Sequence, residues 1–320
     1  MSSAPDGPVG VVLMTYGSAQ TAGEVPAYLA SVRGGRAADQ ALVEEFQRRY
    51  QLIGFSPLVR ITQAQGQALQ ELLDGRHGRG IYRVEVGMLH SQPRIDAAVQ
   101  RLAAARVSRL VGVVLSPQWS PIIMGGYTRA FDSAAEDHLA GVARRVAGPW
   151  HDLPAFVESL AGRVREALDR FSAEDRRGLA IMLTAHSLPE SVAQREPGYL
   201  EQIMATVRAV AAQAGLAESE WEFAYQSAGH SPEPWLTPDL KDLLPGHSAA
   251  GRTGVLVVPV QFLADHLEIL YDIDVAAREE AEEAGLQFHR IELMNTTPAF
   301  IAALAEVVER ETAAAGVSPA

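Results

Sequence analysis

The chain has 320 residues, a hydrophobic content of 48%, a charged content of 21% and a formal net charge of −12. This composition supports a sizeable core and excludes general disorder, and the negative charge argues against a nucleic-acid surface and against docking on anionic lipid. The chain has no cysteine, which excludes disulfides, thiolate metal sites, iron–sulfur ligation and a catalytic thiol, and suits a reducing compartment.

The N-terminus shows no targeting segment. Its first residues, MSSAPDGPVG, lack a basic stretch followed by a long apolar one. No uninterrupted apolar run along the chain approaches the roughly 20 residues that a membrane span needs. We therefore expect a soluble cytoplasmic protein.

Short apolar runs alternate with longer helical patterns along the chain. The predicted strands are Val9–Thr15, Tyr82–Leu89, Leu110–Leu115, Ala143–Ala147, Leu179–Thr184, Glu222–Tyr225, Gly254–Val260 and Phe288–Met294. The predicted helices include Ala41–Gln51, Ile61–Leu73, Arg94–Ala105, Ser159–Arg170, Tyr199–Gln213, Asp265–Ala284 and Ala299–Ala315. Strands that are apolar on both faces and separated by helices indicate parallel sheets covered by helices on both sides. We predict an α/β protein with two such four-stranded sheets and a boundary in Gly148–Leu153.

Polar or aromatic side chains follow several of these strands. In open parallel sheets, ligands bind beyond the carboxyl ends of the strands. Two sheets facing each other would therefore present Tyr16, Trp119, His186 and the segment after Val260 to one shared cleft.

The stretch Ile181–Glu190, IMLTAHSLPE, places a histidine where an apolar strand gives way to a loop. Pro189 prevents that loop from simply becoming helix. A neutral imidazole at His186 can bind a metal or accept a proton near neutral pH. The alternative is a buried histidine satisfied by a backbone carbonyl.

An acidic segment, ADHLEILYDID, follows the predicted strand Gly254–Val260. On a helix, Asp265, Glu268 and Asp272 stand at i, i+3 and i+7 and share one face. Neighbouring carboxylates repel one another, so they attract either protons or a cation. His186 and Glu268 together suit a divalent cation such as iron(II). The alternative is a solvated acidic helix face.

The first half carries cationic and hydroxyl groups that suit an anionic ligand, because arginine forks bind carboxylate or phosphate. They lie in SVRGGR and RRYQLIGFSPL and comprise Arg33, Arg36, Arg48, Arg49, Tyr50 and Ser56. For each of the arginines, the alternative is an ordinary surface side chain. Four aromatic residues are candidates for lining a flat apolar slot, namely Tyr16, Trp119, Tyr127 and Trp235. For each of them, the alternative is a place in the core. No phosphate-binding loop, dinucleotide turn or zinc helix motif is present.

Seven segments resemble those of one family, the ferrochelatases. LTAHSLPE, FAYQSAGHSPEPWL and VVPVQFLADHLEILYDID resemble its signature segments, and VVLMTYGS, VRGGR, RRYQLIGFSPL and GMLHSQP fit it in the same order. The resemblance implies two Rossmann-like, chelatase-type domains, 1–148 and 149–295, with a porphyrin cleft between them and a helix at 296–320 packing back on the first. It also implies insertion of ferrous iron into a porphyrin with release of two pyrrole protons.

The resemblance assigns roles to individual residues. His186 matches the histidine that binds the metal and accepts protons, and Glu268 matches its partner carboxylate. Asp272 continues the acidic ridge, whereas Ala276 stands near the family's next acidic position. The positions that contact the macrocycle or its propionates correspond to Tyr16, Arg33, Arg49, Tyr50, Ser56 and Tyr127.

Tyr16 resembles the tyrosine of the coproporphyrin ferrochelatases of Gram-positive bacteria, which can approach iron on the face opposite the histidine. We therefore expect a coproporphyrin III ferrochelatase that makes coprohaem, with Fe(II) as substrate, no tightly bound cofactor and no iron–sulfur cluster. A monomer in transient contact with the next haem-pathway enzyme is expected. The alternatives are a protoporphyrin IX ferrochelatase, a cobalt or nickel chelatase of a sirohydrochlorin-type ring, and a non-catalytic haem-binding protein.

Overall fold

The computed structural model describes residues 7–229 and 233–314. Its strands are β1 Val9–Thr15, β2 Tyr82–Met88, β3 Arg109–Val114, β4 Ala143–Val146, β5 Leu179–His186, β6 Trp221–Gln226, β7 Gly254–Pro259 and β8 Gln287–Arg290. Its α-helices are α1 Val25–Val32, α2 Gln40–Leu52, α3 Leu58–His77, α4 Ile95–Ala104, α5 Pro121–His138, α6 Pro154–Leu168, α7 Ala173–Arg177, α8 Glu190–Arg195, α9 Pro197–Gln213, α10 Leu240–Ala249, α11 Arg278–Glu283 and α12 Pro298–Ala314. The predicted α/β class, with two helix-flanked four-stranded parallel sheets, is confirmed.

The first compact unit comprises Met1–Trp150 and Asn295–Ala320. Its sheet has the order β2-β1-β3-β4, and all its neighbouring strands are parallel. The central strand β1 is apolar on both faces, and Val11, Val12, Leu13 and Met14 are fully buried. Helices cover both faces of such a strand, which explains why its sequence reads as a continuous apolar run.

Helix α12 belongs to this first unit although it lies at the other end of the sequence. Glu309 on α12 binds two residues at the end of α3, accepting from Arg76 Nη1 at 3.1 Å and contacting His77 Nε2 at 2.8 Å. The helix is described as far as Ala314. Residues 315–320, which the sequence analysis includes in the final helix, lie outside the described residues.

The second unit is the uninterrupted segment His151–Met294. Its parallel sheet has the order β6-β5-β7-β8, which repeats the winding of the first unit. The inner strands β5 and β7 are again buried on both sides, as the core residues Met182, Leu183, Val255 and Val257 show. None of the described helices is both long and apolar enough to cross a membrane.

The strand order creates one switch point in each sheet. The first strand of each unit lies between the second and the third. In the first sheet the chain therefore leaves β1 towards one edge and β3 towards the other, and in the second sheet it leaves β5 and β7 in the same two directions. A crevice forms beyond the carboxyl ends of strands at such a point. Tyr16 directly follows β1, and His186 is the last residue of β5.

The segment after β7 differs from the predicted helix Asp265–Ala284. The helix begins at Glu268, and its first ten residues, Glu268–Ala277, form a π-helix. Asp265 precedes it, and its carboxylate lies 3.3 Å from Arg290 Nη2 at the end of β8. The prediction that Asp265 shares a helical face with Glu268 and Asp272 is therefore wrong.

Candidate functional site

The segment that follows β5 is held in place by neighbouring loops. The backbone N–H of His186 donates to Gln261 Oε1 at 2.9 Å, which ties the end of β5 to the loop after β7. Ser187 Oγ donates to the carbonyl of Leu236 at 3.0 Å, and the N–H of Leu236 donates back to the carbonyl of Leu188 at 2.9 Å. The local fold therefore positions the imidazole of His186 beyond the carboxyl end of the sheet.

Two histidine rings face one carboxylate in the second unit. Nδ1 of His186 contacts the Ser187 carbonyl, and Nδ1 of His266 lies 3.0 Å from the Ala264 carbonyl. A carbonyl oxygen only accepts, so each Nδ1 carries the hydrogen and each Nε2 is available to a metal or a proton. The Nε2 atoms lie 3.7 Å (His186) and 3.5 Å (His266) from Oε2 of Glu268. The alternative that His186 is a buried histidine satisfied by a backbone carbonyl therefore explains Nδ1 and leaves Nε2 unexplained.

Glu268 is a carboxylate at physiological pH. Burial alone would raise its pKa, but the positive charge that His186 carries when protonated, and the hydrogen bond and charge of protonated His266, lower the pKa to about 2. The Glu268 side chain keeps 41% of its surface exposed and the His186 side chain 26%, so both can be reached from solvent. An imidazole nitrogen beside an ionised oxygen can attract a divalent cation and exchange protons.

Aromatic rings surround this polar group. The ring centroids of Trp235 and Phe262 lie 6.4 and 6.3 Å from that of His186, and Phe262 is also 4.6 Å from His266. These rings give the imidazoles an apolar border. Across residues 7–229 and 233–314, no three His, Cys, Asp or Glu side chains are gathered closely enough to hold a metal ion between them.

The acidic row along the π-helix is short. Asp272 lies in the same π-helix as Glu268 and is half-buried. Ala276 follows one further turn along this helix and has no ionisable group. Asp274, which the sequence analysis did not single out, instead accepts two hydrogen bonds from Arg290 at 2.7 and 2.8 Å.

In the first unit, Tyr16 is presented at the end of β1 with 41% of its surface exposed. The next residue, Gly17, has a φ of +88°, and a Cβ atom there would lie 2.4 Å from Ser91 Oγ, so the turn requires glycine. The ring of Tyr16 lies 4.4 Å from that of His90, measured between centroids. Burial and the charge of Arg94 lower the pKa of His90.

Arg33 and Arg49 differ in their surroundings. Arg33 caps the end of α1 and is exposed, and no described carboxylate lies within 4.0 Å of it. Arg49 on α2 donates to Glu45 at 2.7 Å and keeps only 18% of its side chain exposed. Hydrogen bonds from Arg48 and Arg49 lower the pKa of Glu45 to about 2. Of the two predicted ligand contacts, Arg33 is therefore the one without a carboxylate already in place.

The remaining predicted contacts are buried. Tyr50 is fully buried, and its hydroxyl lies 2.8 Å from Ser18 Oγ. Ser56 is 6% exposed, and its Oγ accepts from the N–H of Leu58 at 3.4 Å. Tyr127 on α5 packs in the core of the first unit. These side chains support the scaffold in the structure, and their role as porphyrin contacts stays a prediction.

The structure thus brings His186 and Glu268 together in one unit and places Tyr16 and the other predicted contacts in the other unit. Sequence reasoning missed His266 and His90. His266 stands two residues before Glu268 in ADHLE, and His90 belongs to LHSQP, which repeats the His-Ser-x-Pro pattern around His186. Those two patterns were the available signals.

Comparisons with known proteins concern nearly the entire chain. A family model described as ferrochelatase matches residues 8–312. A protein of Deinococcus radiodurans named ferrochelatase is 38% identical over 307 residues, which cover 96% of each chain. A coproporphyrin III ferrochelatase of Geobacillus thermodenitrificans is 35% identical over 310 residues, which cover 96% of this chain and 97% of that protein.

Solved structures show the same fold at low identity. SirB from Bacillus subtilis with Fe3+ matches with a TM-score of 0.60 and 12% identity, covering 96% of each chain. The sirohydrochlorin chelatase SirB from Bacillus subtilis subspecies spizizenii, in complex with cobalt, matches with a TM-score of 0.56 and 11% identity over 96% of this chain and 95% of that chain.

Proposed function

The chain belongs to the ferrochelatase family of metal-inserting lyases, and we propose that it inserts Fe(II) into coproporphyrin III to form coprohaem. The observation that carries this proposal is the approach of Nε2 of His186 to Oε2 of Glu268 at 3.7 Å, at the switch point of the second sheet. A borderline cation such as Fe(II) accepts an imidazole nitrogen and a carboxylate oxygen as ligands.

The reaction needs a base beside the metal. A planar porphyrin resists metal entry because its nitrogen lone pairs lie in the ring plane and two of the nitrogens carry hydrogens. Holding the ring bent exposes the lone pairs, at a strain of order 1–5 kcal/mol that contacts to the rest of the ring sustain. His186 accepts one pyrrole proton through Nε2 once that nitrogen no longer binds iron, and the Glu268 carboxylate stabilises the imidazolium that forms. The imidazolium passes this proton to water before the second pyrrole proton leaves the ring. Trp235 and Phe262 give the His186 ring an apolar border.

Three arginines of the first unit support coproporphyrin as the substrate. Coproporphyrin carries four propionates, two more than protoporphyrin. Although the chain has 39 acidic and 27 basic residues, Arg33, Arg36 and Arg94 are exposed and have no carboxylate within 4.0 Å among the described residues. Exposed guanidinium groups of this kind suit propionates. The exposed Tyr16 and the match to relatives named coproporphyrin III ferrochelatase point the same way.

Membership of the same family also suggests the cofactor, location and oligomeric state of the protein. We infer that Fe(II) is the substrate and that no resident cofactor takes part; a chain without cysteine cannot ligate an iron–sulfur cluster through thiolates. We also infer a cytoplasmic monomer that transiently contacts the next haem-pathway enzyme.

Anaerobic turnover of three rings tests the proposal. The purified protein is given coproporphyrin III, protoporphyrin IX or sirohydrochlorin with Fe(II), Co(II) or Ni(II). We expect kcat/KM for Fe(II) to be at least about tenfold higher with coproporphyrin III than with protoporphyrin IX, because each charge-assisted hydrogen bond to an extra propionate contributes about 1.5–3 kcal/mol. A preference for protoporphyrin IX, turnover of sirohydrochlorin alone, or porphyrin binding without turnover would each contradict it.

The charge of Glu268 has its own test. Glu268→Gln keeps the shape of the side chain and removes the charge that stabilises the His186 imidazolium. We expect kcat with Fe(II) to fall about tenfold, while the porphyrin Kd stays unchanged, because a charged hydrogen-bond partner contributes about 1.5–3 kcal/mol. Glu279→Gln, in the exposed part of the continuing helix α11, is the matched control and should keep the wild-type kcat. If Glu268→Gln has the same kcat as Glu279→Gln, the charge of Glu268 has no role in the reaction.

A further inference from the structure

A polar cluster at the carboxyl ends of β1 and β2 takes no part in the chemistry described above. It consists of Ser31, His90 and Arg94, which we call the Ser31 cluster, and it lies beside the ring of Tyr16. The N–H of His90 donates to the Tyr16 carbonyl at 2.9 Å, so the two residues run side by side beyond their strands. Their ring centroids are 4.4 Å apart.

Among the described residues, the hydrogen bonds of the cluster involve Nδ1 of His90 and leave Nε2 open. Arg94 Nη1 lies 3.3 Å from Ser31 Oγ, and a guanidinium group only donates, so Ser31 accepts this bond. Ser31 Oγ also lies 3.0 Å from His90 Nδ1. Burial and the charge of Arg94 lower the pKa of His90, whereas a hydrogen bond from its ring to the backbone of Ser31 raises it. A charged ring carries a hydrogen on both nitrogens, so Nε2 is a donor when His90 is protonated.

Both donors of the cluster are without an acceptor. Within the described part of the chain, Nε2 of His90 has no hydrogen-bond partner, and it is not one of the enclosed polar atoms. Arg94 is exposed, and no described carboxylate lies within 4.0 Å of its guanidinium group. His90 and Arg94 both contact the same hydroxyl group, at 3.0 and 3.3 Å. A carboxylate, with two acceptor oxygens and a negative charge, matches a protonated imidazole beside a guanidinium group.

We propose that the Ser31 cluster binds one propionate carboxylate of the tetrapyrrole, with His90 Nε2–H and Arg94 as donors, while the Tyr16 ring contacts the macrocycle. Ser31 is a positioning residue that fixes the orientation of both donors. This inference rests on the proposed function and deepens it, because it names the group of the substrate that the first unit recognises. The cluster acts on binding and leaves the iron chemistry to the second unit.

Porphyrin binding without metal tests the subsite. The full-length protein is titrated with coproporphyrin III and with its tetramethyl ester, and Kd is read from porphyrin fluorescence. His90→Phe keeps a ring against Tyr16 but has no N–H, and Arg94→Met keeps the aliphatic stem. We expect each variant to weaken binding of coproporphyrin III about tenfold, as loss of one charge-assisted hydrogen bond predicts. The ester, which has no carboxylates, should bind all forms equally.

Two controls separate this subsite from general effects. Arg79→Met removes an exposed arginine before β2, at the amino end of the strand whose carboxyl end carries the cluster, and should bind coproporphyrin III as the wild type does. In turnover, His90→Phe should raise KM and leave kcat unchanged, because a binding contact that is equal in substrate and transition state affects KM alone. Wild-type affinity in both variants, or an equal loss with the ester, would overturn the subsite. A wild-type protein that binds neither ring would contradict the proposed function instead.

Discussion

Replacing His186 by alanine is expected to lower kcat for Fe(II) insertion by about 10²- to 10⁴-fold, the usual contribution of a positioned general base. The ring is the last side chain of β5, and its Nε2 lies 3.7 Å from the Glu268 carboxylate. Without it, the pyrrole protons lose the acceptor that stands at the end of β5. Porphyrin binding should remain, because the proposed propionate contacts belong to other residues. Anaerobic initial rates and porphyrin fluorescence titrations measure the two quantities separately.

A second histidine–glutamate pair in the same unit provides the control. His247, in the last turn of α10, lies with its Nε2 3.2 Å from Oε2 of Glu222 near the start of β6, away from the switch point. His247→Ala should keep the wild-type rate. If His186→Ala inserts iron at the wild-type rate, the residue is not the base. If both variants lose activity equally, the loss reflects general destabilisation.

Arg290→Leu is expected to destabilise the second unit by about 3 kcal/mol, the range for removing one partner of a buried ion pair. The Arg290 side chain is 13% exposed and lies 2.7 Å from Asp274 and 3.3 Å from Asp265. Burial alone would lower the pKa of Arg290, but Asp274 and Asp265 raise it. The variant removes this cation from both carboxylates. Urea denaturation gives the free energy of unfolding, and the midpoint of the transition of the second unit should move to a lower urea concentration.

Rescue and control variants make this result specific. Arg170→Leu breaks the exposed pair with Glu292, where the side chains are 55% and 64% exposed, and should change the unfolding free energy by less than about 1 kcal/mol. Adding Asp265→Asn and Asp274→Asn to Arg290→Leu removes the two negative charges that faced the arginine and should restore part of the stability. An unchanged unfolding midpoint for Arg290→Leu would show that the ion-pair network contributes nothing.

The same network positions Glu268. Asp265 precedes Glu268 by three residues, and Asp274 lies further along the π-helix, so Arg290 holds both sides of the segment that carries the carboxylate. Its cation therefore influences the distance between Glu268 and His186 without touching either. For this reason Arg290→Leu should also lower kcat under conditions in which the variant is folded.

Most strands could be predicted because a strand buried on both faces leaves a strong local signal. The bounds of β1, Val9–Thr15, agree with the prediction, and β5 extends two residues beyond Thr184 to include His186. The π-helix could not be predicted, since i→i+5 bonding has no residue signature and depends on the packing around it. Asp265 was misplaced for a related reason: its ion pair with Arg290 connects residues far apart in the sequence.

The candidate site was predictable only in part. His186 and Glu268 each follow a recognisable strand, and strand ends of parallel sheets meet at one edge, so their proximity follows from the fold. The contacts of Ser31 with His90 and Arg94 bridge 59 and 63 residues. No periodicity in the sequence reports such a contact, because it arises from how α1 packs beside the ends of β1 and β2.

The division of the chain has a consequence for biosynthesis. The second unit is one continuous segment, whereas the first needs α12, whose residues Phe300, Leu304 and Val308 are fully buried. A ribosome adds residues in order, about 5–20 per second, so the whole of the segment His151–Met294 is translated before α12. The unit whose sheet is translated first is therefore completed last. During that interval it exposes the apolar surface that α12 later covers, and a nascent chain arrested after Met294 would present this surface to chaperones.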